Sequence, residues 1–182
     1  LTFLTVVFCL ASSVAWSETV NSDDLVEREG VYYKKFTDVP FTGTVTGEGQ
    51  GEIKDGKKGG PWVEYWKNGQ LSSKGTYKDG NKDGPWVRYN DNGQLSQKGT
   101  YKDGMKDGLW FSYYDNGQVW RKGTFKNDKR DGPWVDYHDN GQLWSKGTFK
   151  NGKEDGPWVS YKKEGTVWEE WTGTYRNGVK VK

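Results

Sequence analysis

The sequence predicts an all-β chain built of tandem 24-residue β-hairpins, joined side by side into one elongated, twisted antiparallel meander sheet. Three observations carry that expectation. Aligning Pro61, Pro85, Leu109, Pro133 and Pro157 brings Trp62, Trp86, Trp110, Trp134 and Trp158 into register at a spacing of 24 residues, and a fixed period in this range marks a repeat architecture. Asn-Gly pairs beginning at Asn68, Asn92, Asn116 and Asn140 each fall between two runs that alternate bulky and polar residues, which is the strongest short-range hairpin signal. A glycine also recurs inside the second run of every regular copy, at Gly75, Gly99, Gly123 and Gly147.

Residues 85–108 show what one copy encodes. With Asn92 and Gly93 as the two residues of a type I′ turn, Arg88 faces Gln97 and Trp86 faces Gly99. A strand glycine suggests that something must approach closely, and the facing indole of Trp86 is the expected occupant. The opposite face pairs Val87 with Lys98 and Tyr89 with Ser96. The cluster KDGMKDG that follows Tyr101, like its counterparts in the other copies, reads as a loose charged turn. A single hairpin is marginal in water, so stability has to come from setting hairpin beside hairpin.

Taken in order, residues 1–17, LTFLTVVFCLASSVAWS, carry no charge and end in small residues, with Ala15 and Ser17 spaced as at an A-x-A cleavage site. They are expected to be a secretory signal peptide. A membrane-spanning helix needs about 20 apolar residues, so the run is not expected to remain as an anchor. The single cysteine, Cys9, lies within it, which would leave the mature chain without disulfides or a thiol nucleophile. Residues 18–30 are acidic, have no clear pattern and are expected to form a flexible lead-in. Residues 31–60 read as a divergent first unit. Gly51, Ile53 and Asp55 precede Gly75, Tyr77 and Asp79 by one period, while Tyr32, Tyr33, Phe36 and Phe41 stand in for the Trp strand.

Four regular units follow, at 61–84, 85–108, 109–132 and 133–156. They differ from one another mainly at Glu64, Arg88, Ser112 and Asp136, at Trp66, Asn90, Tyr114 and His138, and at Ser72, Ser96, Trp120 and Trp144. Positions that vary on a repeated frame are where a binding surface can be tuned, so Trp66, Arg88, Tyr114, Trp120, Asp136, Tyr137, His138 and Trp144 form the candidate binding surface. Trp120 and Trp144 are expected on the Tyr-bearing face, near Tyr113 and Tyr137. Residues 157–182 close the array as a C-terminal cap, with Glu164-Gly165 as its turn and two extra residues before Gly173. An insertion of two keeps each later side chain on its face, and Lys180 and Lys182 suit an edge that must not pair with another chain.

Composition limits function as much as fold. Lys and Arg number 27 against 25 Asp and Glu, mixed along the loops, so no basic stripe points to nucleic acid. The catalytic inventory is thin. His138 is the only histidine and occupies a position held by Trp66, Asn90 and Tyr114 in sister units. Glu169 and Glu170 are adjacent and would point to opposite faces of a strand, unlike a cooperating carboxylate pair. No phosphate loop, zinc spacing or nucleophile motif is present, and the Asp-Gly loops carry lysines that would compete with calcium. No enzyme activity, cofactor or metal is expected.

The string DGPWVxYxDNGQLxxKGT, present at 83–100 and 131–148, strongly resembles the bacterial variant of the MORN repeat, and VYYKKFTDVPFTGTVTG looks like the opening of secreted members of that family. The resemblance runs from residue 31 to 182. It implies a β-hairpin array without catalysis, and the antitoxin label often given to such proteins implies binding of a protein partner. Hairpins containing W-x-x-Y-x-x-N-G-Q are also similar to choline- and glucan-binding cell-wall repeats, which implies a sugar or choline site with Trp120, Trp144 and Tyr137 as platform. The expected function is therefore a non-catalytic, exported scaffold for protein–protein interaction in the cell envelope, with cell-wall glycan or choline binding as the alternative.

Overall fold

A computed structural model describes residues 18–182, and the segment in which the signal peptide is expected lies outside the described residues. The strands are β1 (Glu18–Asn21), β2 (Leu25–Arg28), β3 (Val31–Lys34), β4 (Gly43–Thr46), β5 (Gly49–Lys54), β6 (Lys57–Tyr65), β7 (Leu71–Lys78), β8 (Asn81–Tyr89), β9 (Leu95–Lys102), β10 (Met105–Lys106), β11 (Gly108–Tyr113), β12 (Val119–Lys126), β13 (Lys129–Tyr137), β14 (Leu143–Lys150), β15 (Lys153–Glu154), β16 (Gly156–Ser160), β17 (Gly173–Arg176) and β18 (Val179–Lys180). From β4 to β18 each long strand pairs antiparallel with the next in sequence, giving one long sheet. The exception to the meander is β1, which adds in parallel beside β4.

Both turns of the unit exchange the characters expected of them. At Asn92-Gly93 the Asn90 carbonyl accepts from Gly93 N–H at 3.0 Å, Asn90 N–H donates to the Gln94 carbonyl at 2.8 Å, and the pairing slips so that Tyr89 meets Leu95. Gly93 has φ +81°. This is a three-residue loop, a type I turn closed by a left-handed glycine with a bulge, and not a two-residue type I′ turn. Asn92 Oδ1 accepts from Gln94 N–H at 2.9 Å, and Asn68, Asn116 and Asn140 repeat that bond, which is the work of the asparagine here. The tight turn lies instead in the charged cluster. Asp79 and Gly80, with φ +50° and +85°, are the two central residues between the paired Lys78 and Asn81, and the Asp103-Gly104 turn repeats this.

The strand register expected for the body of the hairpin is present, with Trp86 paired to Gly99 and Arg88 to Gln97. Trp86 is equally in register with Gly75 on its other side. The indole leans toward that preceding strand. A β-carbon on Gly75 would overlap the Trp86 ring, and one on Gly99 would overlap Trp110. Gly123 and Gly147 stand in the same relation to Trp134 and Trp158. The expected cover of Gly99 by Trp86 is thus corrected: each indole reaches across the junction between units and ties one hairpin to the one before it. Pro85 sits where the β7–β8 ladder skips, so its missing N–H leaves no unpaired acceptor in the sheet.

The lead-in expected to be flexible is folded. β1 joins the sheet, a 3-10 turn follows at Ser22–Asp24, and β2 pairs with β3 as a separate hairpin. The first unit also lacks an aromatic in the indole position. Val45 pairs with Gly51, Tyr32 and Tyr33 lie on the separate hairpin, and Phe36 is fully exposed. Val20, Phe41, Val45, Ile53 and Trp62 make the N-terminal core, with Tyr32 packed against it. At the other end the two extra residues are absorbed in the loop before β17, and Trp158 still pairs with Gly173.

Candidate interaction surface

Alternation along each strand puts the indoles on one face of the sheet and the neighbouring valines on the other. On the indole face Trp62, Tyr77, Trp86, Tyr101, Trp110, Phe125, Trp134, Phe149 and Trp158 form an unbroken series of edge-to-face contacts, with centroids 5.0 to 6.3 Å apart. Each such pair adds about 0.5–1.5 kcal/mol beyond the area it buries. The five tryptophans are 3–6% exposed. Trp62, Trp110 and Trp158 satisfy their indole N–H by donating to the carbonyls of Glu52, Thr100 and Thr148 at 3.0–3.1 Å.

The candidate residues Trp66, Tyr114 and His138 share one task despite their different chemistry. Trp66 Nε1 donates to the Tyr89 carbonyl at 3.3 Å and Tyr114 hydroxyl to the Tyr137 carbonyl at 2.8 Å, while His138 Nε2 lies 3.0 Å from the Tyr161 carbonyl. A carbonyl only accepts, so His138 carries its proton on Nε2. Asn90, at the same position, donates to Asp115 Oδ1 at 2.8 Å. All four fasten one unit to the next, so variation here preserves a clip. Tyr114→Phe removes one such bond, and we expect a loss of about 1 kcal/mol, read as a fall of about 2–4 °C in Tm with an unchanged β-sheet spectrum. A Tm equal to wild type would show that the hydroxyl does not hold the junction.

Glu64, Arg88 and Asp136 occupy the indole face beside the ring series. Glu64 Oε2 accepts from Ser73 at 2.8 Å and pairs with Lys58 at 3.1 Å. Burial pushes its carboxyl up, but Ser73 and Lys58 together hold it below the ordinary value. Asp136 Oδ2 accepts from Ser145 and from Trp134 Nε1, both at 3.1 Å, and its other oxygen lies 3.4 Å from Arg121 Nε. Arg88 is exposed. Tyr137 lies on the valine face, under the Lys122 ammonium.

Trp120 and Trp144 are not where the sequence places them. The bulges at Ser112/Tyr113 and Asp136/Tyr137 turn them away from Tyr113 and Tyr137, and they lie instead against Tyr114 and His138 as tilted ring pairs at centroid distances of 6.0 and 5.9 Å. Trp120 lines a cavity with Trp110 and Trp134, and Trp144 lines one with Trp158. The Arg121 guanidinium lies 3.5 Å from the Trp120 ring centre. The eight candidate residues therefore do not form one surface.

Two groups were missed from sequence. Lys58, Lys82, Lys106 and Arg130 recur at the unit spacing within the charged clusters, and each rests on the indole four residues later. Their period was visible, but the cluster reads as a solvated loop until the tight turn is placed at its first Asp-Gly. Burial lowers the pKa of Lys82 and Lys106, against the pull of Glu64 on the former and Asp128 on the latter. Trp168 and Trp171, in the loop before β17, wall a 410 Å³ cavity at the C-terminal end. Among the described residues no group of three or more His, Cys, Asp and Glu side chains could hold a metal ion.

Comparison with known proteins bears on the same units. No curated protein matches the chain. The MORN repeat variant matches four times, at 58–79, 82–103, 106–127 and 130–151. Each matched stretch opens on the cation that covers the indole and ends at the tight turn after the aromatic partner ring. The chain carries four tandem repeats of the MORN repeat variant family.

Proposed function

We propose that the chain is an exported, non-catalytic scaffold of the cell envelope that binds a protein partner along the valine face of its sheet, in the manner of an antitoxin holding its target. Repeats of this family serve generally as non-enzymatic interaction scaffolds. The observation that carries the reading is the uncovered face itself. Val63, Val87, Phe111, Val135 and Val159 recur on alternate strands, about 10 Å apart by the strand spacing. All five are half-buried, and Tyr65, Tyr89, Tyr113, Tyr137 and Tyr161 accompany them. Lys98 lies over Phe111 and Tyr113, so the apolar row carries charged cover that an acidic partner surface can engage. Export is supported by the uncharged apolar run at residues 1–17. Among the described residues no helix is long and apolar enough to cross a membrane.

The test compares wild type with Phe111→Lys/Val135→Lys in capture from an envelope extract. A defined protein retained by wild type and reduced at least about tenfold by the double variant, the effect of losing contacts at the centre of an interface, is the expected result. Equal capture by a variant of unchanged Tm would sink the reading. The second reading, cell-wall glycan binding, is favoured by the partly exposed ring of Trp144, which lies against His138. Quenching of Trp fluorescence by wall fragments in wild type and not in Trp144→Ala would select it.

A further inference from the structure

The cations on the indole face form a series with one member changed. Lys58, Lys82 and Lys106 place Nζ 4.2, 4.1 and 4.3 Å from the ring centres of Trp62, Trp86 and Trp110, and Arg130 Cζ lies 5.0 Å from that of Trp134. One period further on, four residues before Trp158, stands Glu154. Trp158 is buried like its sisters, and its indole N–H is satisfied in the same way as that of Trp110. What differs is the residue four positions before it, a carboxylate in place of a cation.

Glu154 lines the 410 Å³ C-terminal cavity together with Trp158, Trp168, Trp171 and Tyr175. Among the described residues its carboxylate makes no hydrogen bond or ion pair. Burial raises its pKa, Asp136 adds to that, and Arg130 opposes it. The two arginines that border the cavity are engaged along its walls: Arg130 lies on the Trp134 and Phe149 rings, and Arg121 stacks on Trp120 and pairs with Asp136. Of the two carboxylates in the lining, Asp136 has an arginine partner and Glu154 has none, so Glu154 faces aromatic walls in a space within the usual range of about 300–1,000 Å³ for ligand sites.

We propose that this cavity binds an alkylammonium group, held on the Trp158 ring with Glu154 as counter-ion, so that the ligand supplies the cation that the indole of the C-terminal cap lacks. Aromatic faces attract a cation through the ring quadrupole. An alkylated ammonium suits such walls better than a small metal ion because it gives up less hydration on entry. The same group is presented by a free quaternary ammonium compound and by a lysine side chain of another protein. The site does not depend on the valine face used by the scaffold reading.

The test follows the indole N–H resonances of Trp168 and Trp171 by NMR in the full chain during titration with tetramethylammonium chloride, with Nα-acetyl-lysine amide, and with neutral 3,3-dimethylbutan-1-ol. Saturable shifts with at least one cation, and binding of the neutral alcohol about tenfold weaker or less, are expected. Glu154→Gln should weaken the cation about tenfold. Glu154→Lys, which restores the tethered cation of the other units, should abolish binding while keeping the wild-type circular dichroism. Binding of the lysine amide assigns the site to a protein side chain, and binding of tetramethylammonium alone assigns it to a free quaternary ammonium. No saturation by either cation, equal binding of the neutral alcohol, or wild-type binding by a folded Glu154→Lys chain would overturn the proposal.

Discussion

Gly99→Val is expected to destabilise the chain by about 3 kcal/mol, the upper part of the range for forcing extra carbons into a packed site. Valine is otherwise favoured in a strand, and Gly99 shows no positive φ, so the backbone does not oppose the change. The penalty comes from one contact, since a β-carbon here overlaps the Trp110 ring. Trp110 cannot swing aside cheaply, because it is 4% exposed, donates to the Thr100 carbonyl and is flanked by Tyr101 and Phe125. A double-mutant cycle identifies the partner. In a Trp110→Ala background Gly99→Val should cost little, and in a Trp86→Ala background it should cost as much as in wild type. Urea denaturation checks both, and coupling to Trp86 in place of Trp110 would refute the geometry.

That cycle also separates what the residues disclose from what they do not. The period, the hairpins, the Trp–Gly pairing and the structural use of both residues follow from the spacing of Trp86, Asn92 and Gly99. Which glycine an indole covers does not follow, because Trp86 is in register with Gly75 and Gly99 alike. The choice lies in the tilt of the ring, which pairing leaves open. The turns show the same kind of gap. Asn-Gly serves a type I′ turn and a type I turn with a bulge equally well, and a difference of one loop residue decides on which side of the sheet Trp120 and Trp144 end.

The candidate site was less legible than the fold for a related reason. Variation marks a binding surface only where the varying side chains do different work, and Trp66, Tyr114 and His138 vary while making the same bond to the next unit. A repeat conserves a function of geometry, and several side chains can reach one carbonyl. The informative departure is of the opposite kind. Glu154 replaces a cation by a carboxylate at a position where charge, and not reach, is the property that recurs, and a change of sign there has no equivalent in the other units.

Trp110→Ala should cost about 3–5 kcal/mol, the range for deleting a large buried aromatic ring, and should also change the form of the unfolding transition. The sheet is a single layer in which each unit touches only its neighbours, so cooperativity passes along the ring series one junction at a time. Its buried apolar residues gather at the two ends, around Val45, Ile53 and Trp62 and around Trp134, Phe149 and Trp158. Between them the indole face is carried by Trp86 and Trp110, with Tyr101 between the two. Removing Trp110 breaks its contacts with Tyr101 and Phe125 together and also uncovers Gly99. Each end keeps its own core, so the wild-type chain should melt in one step by fluorescence and circular dichroism alike, and the variant in two. Trp158→Ala, deleting the same side chain from the last unit, should shorten the array from its end and leave one main transition at lower temperature. A single coincident transition in Trp110→Ala would mean that the backbone ladder alone couples the two ends, and that the ring series contributes stability without carrying cooperativity.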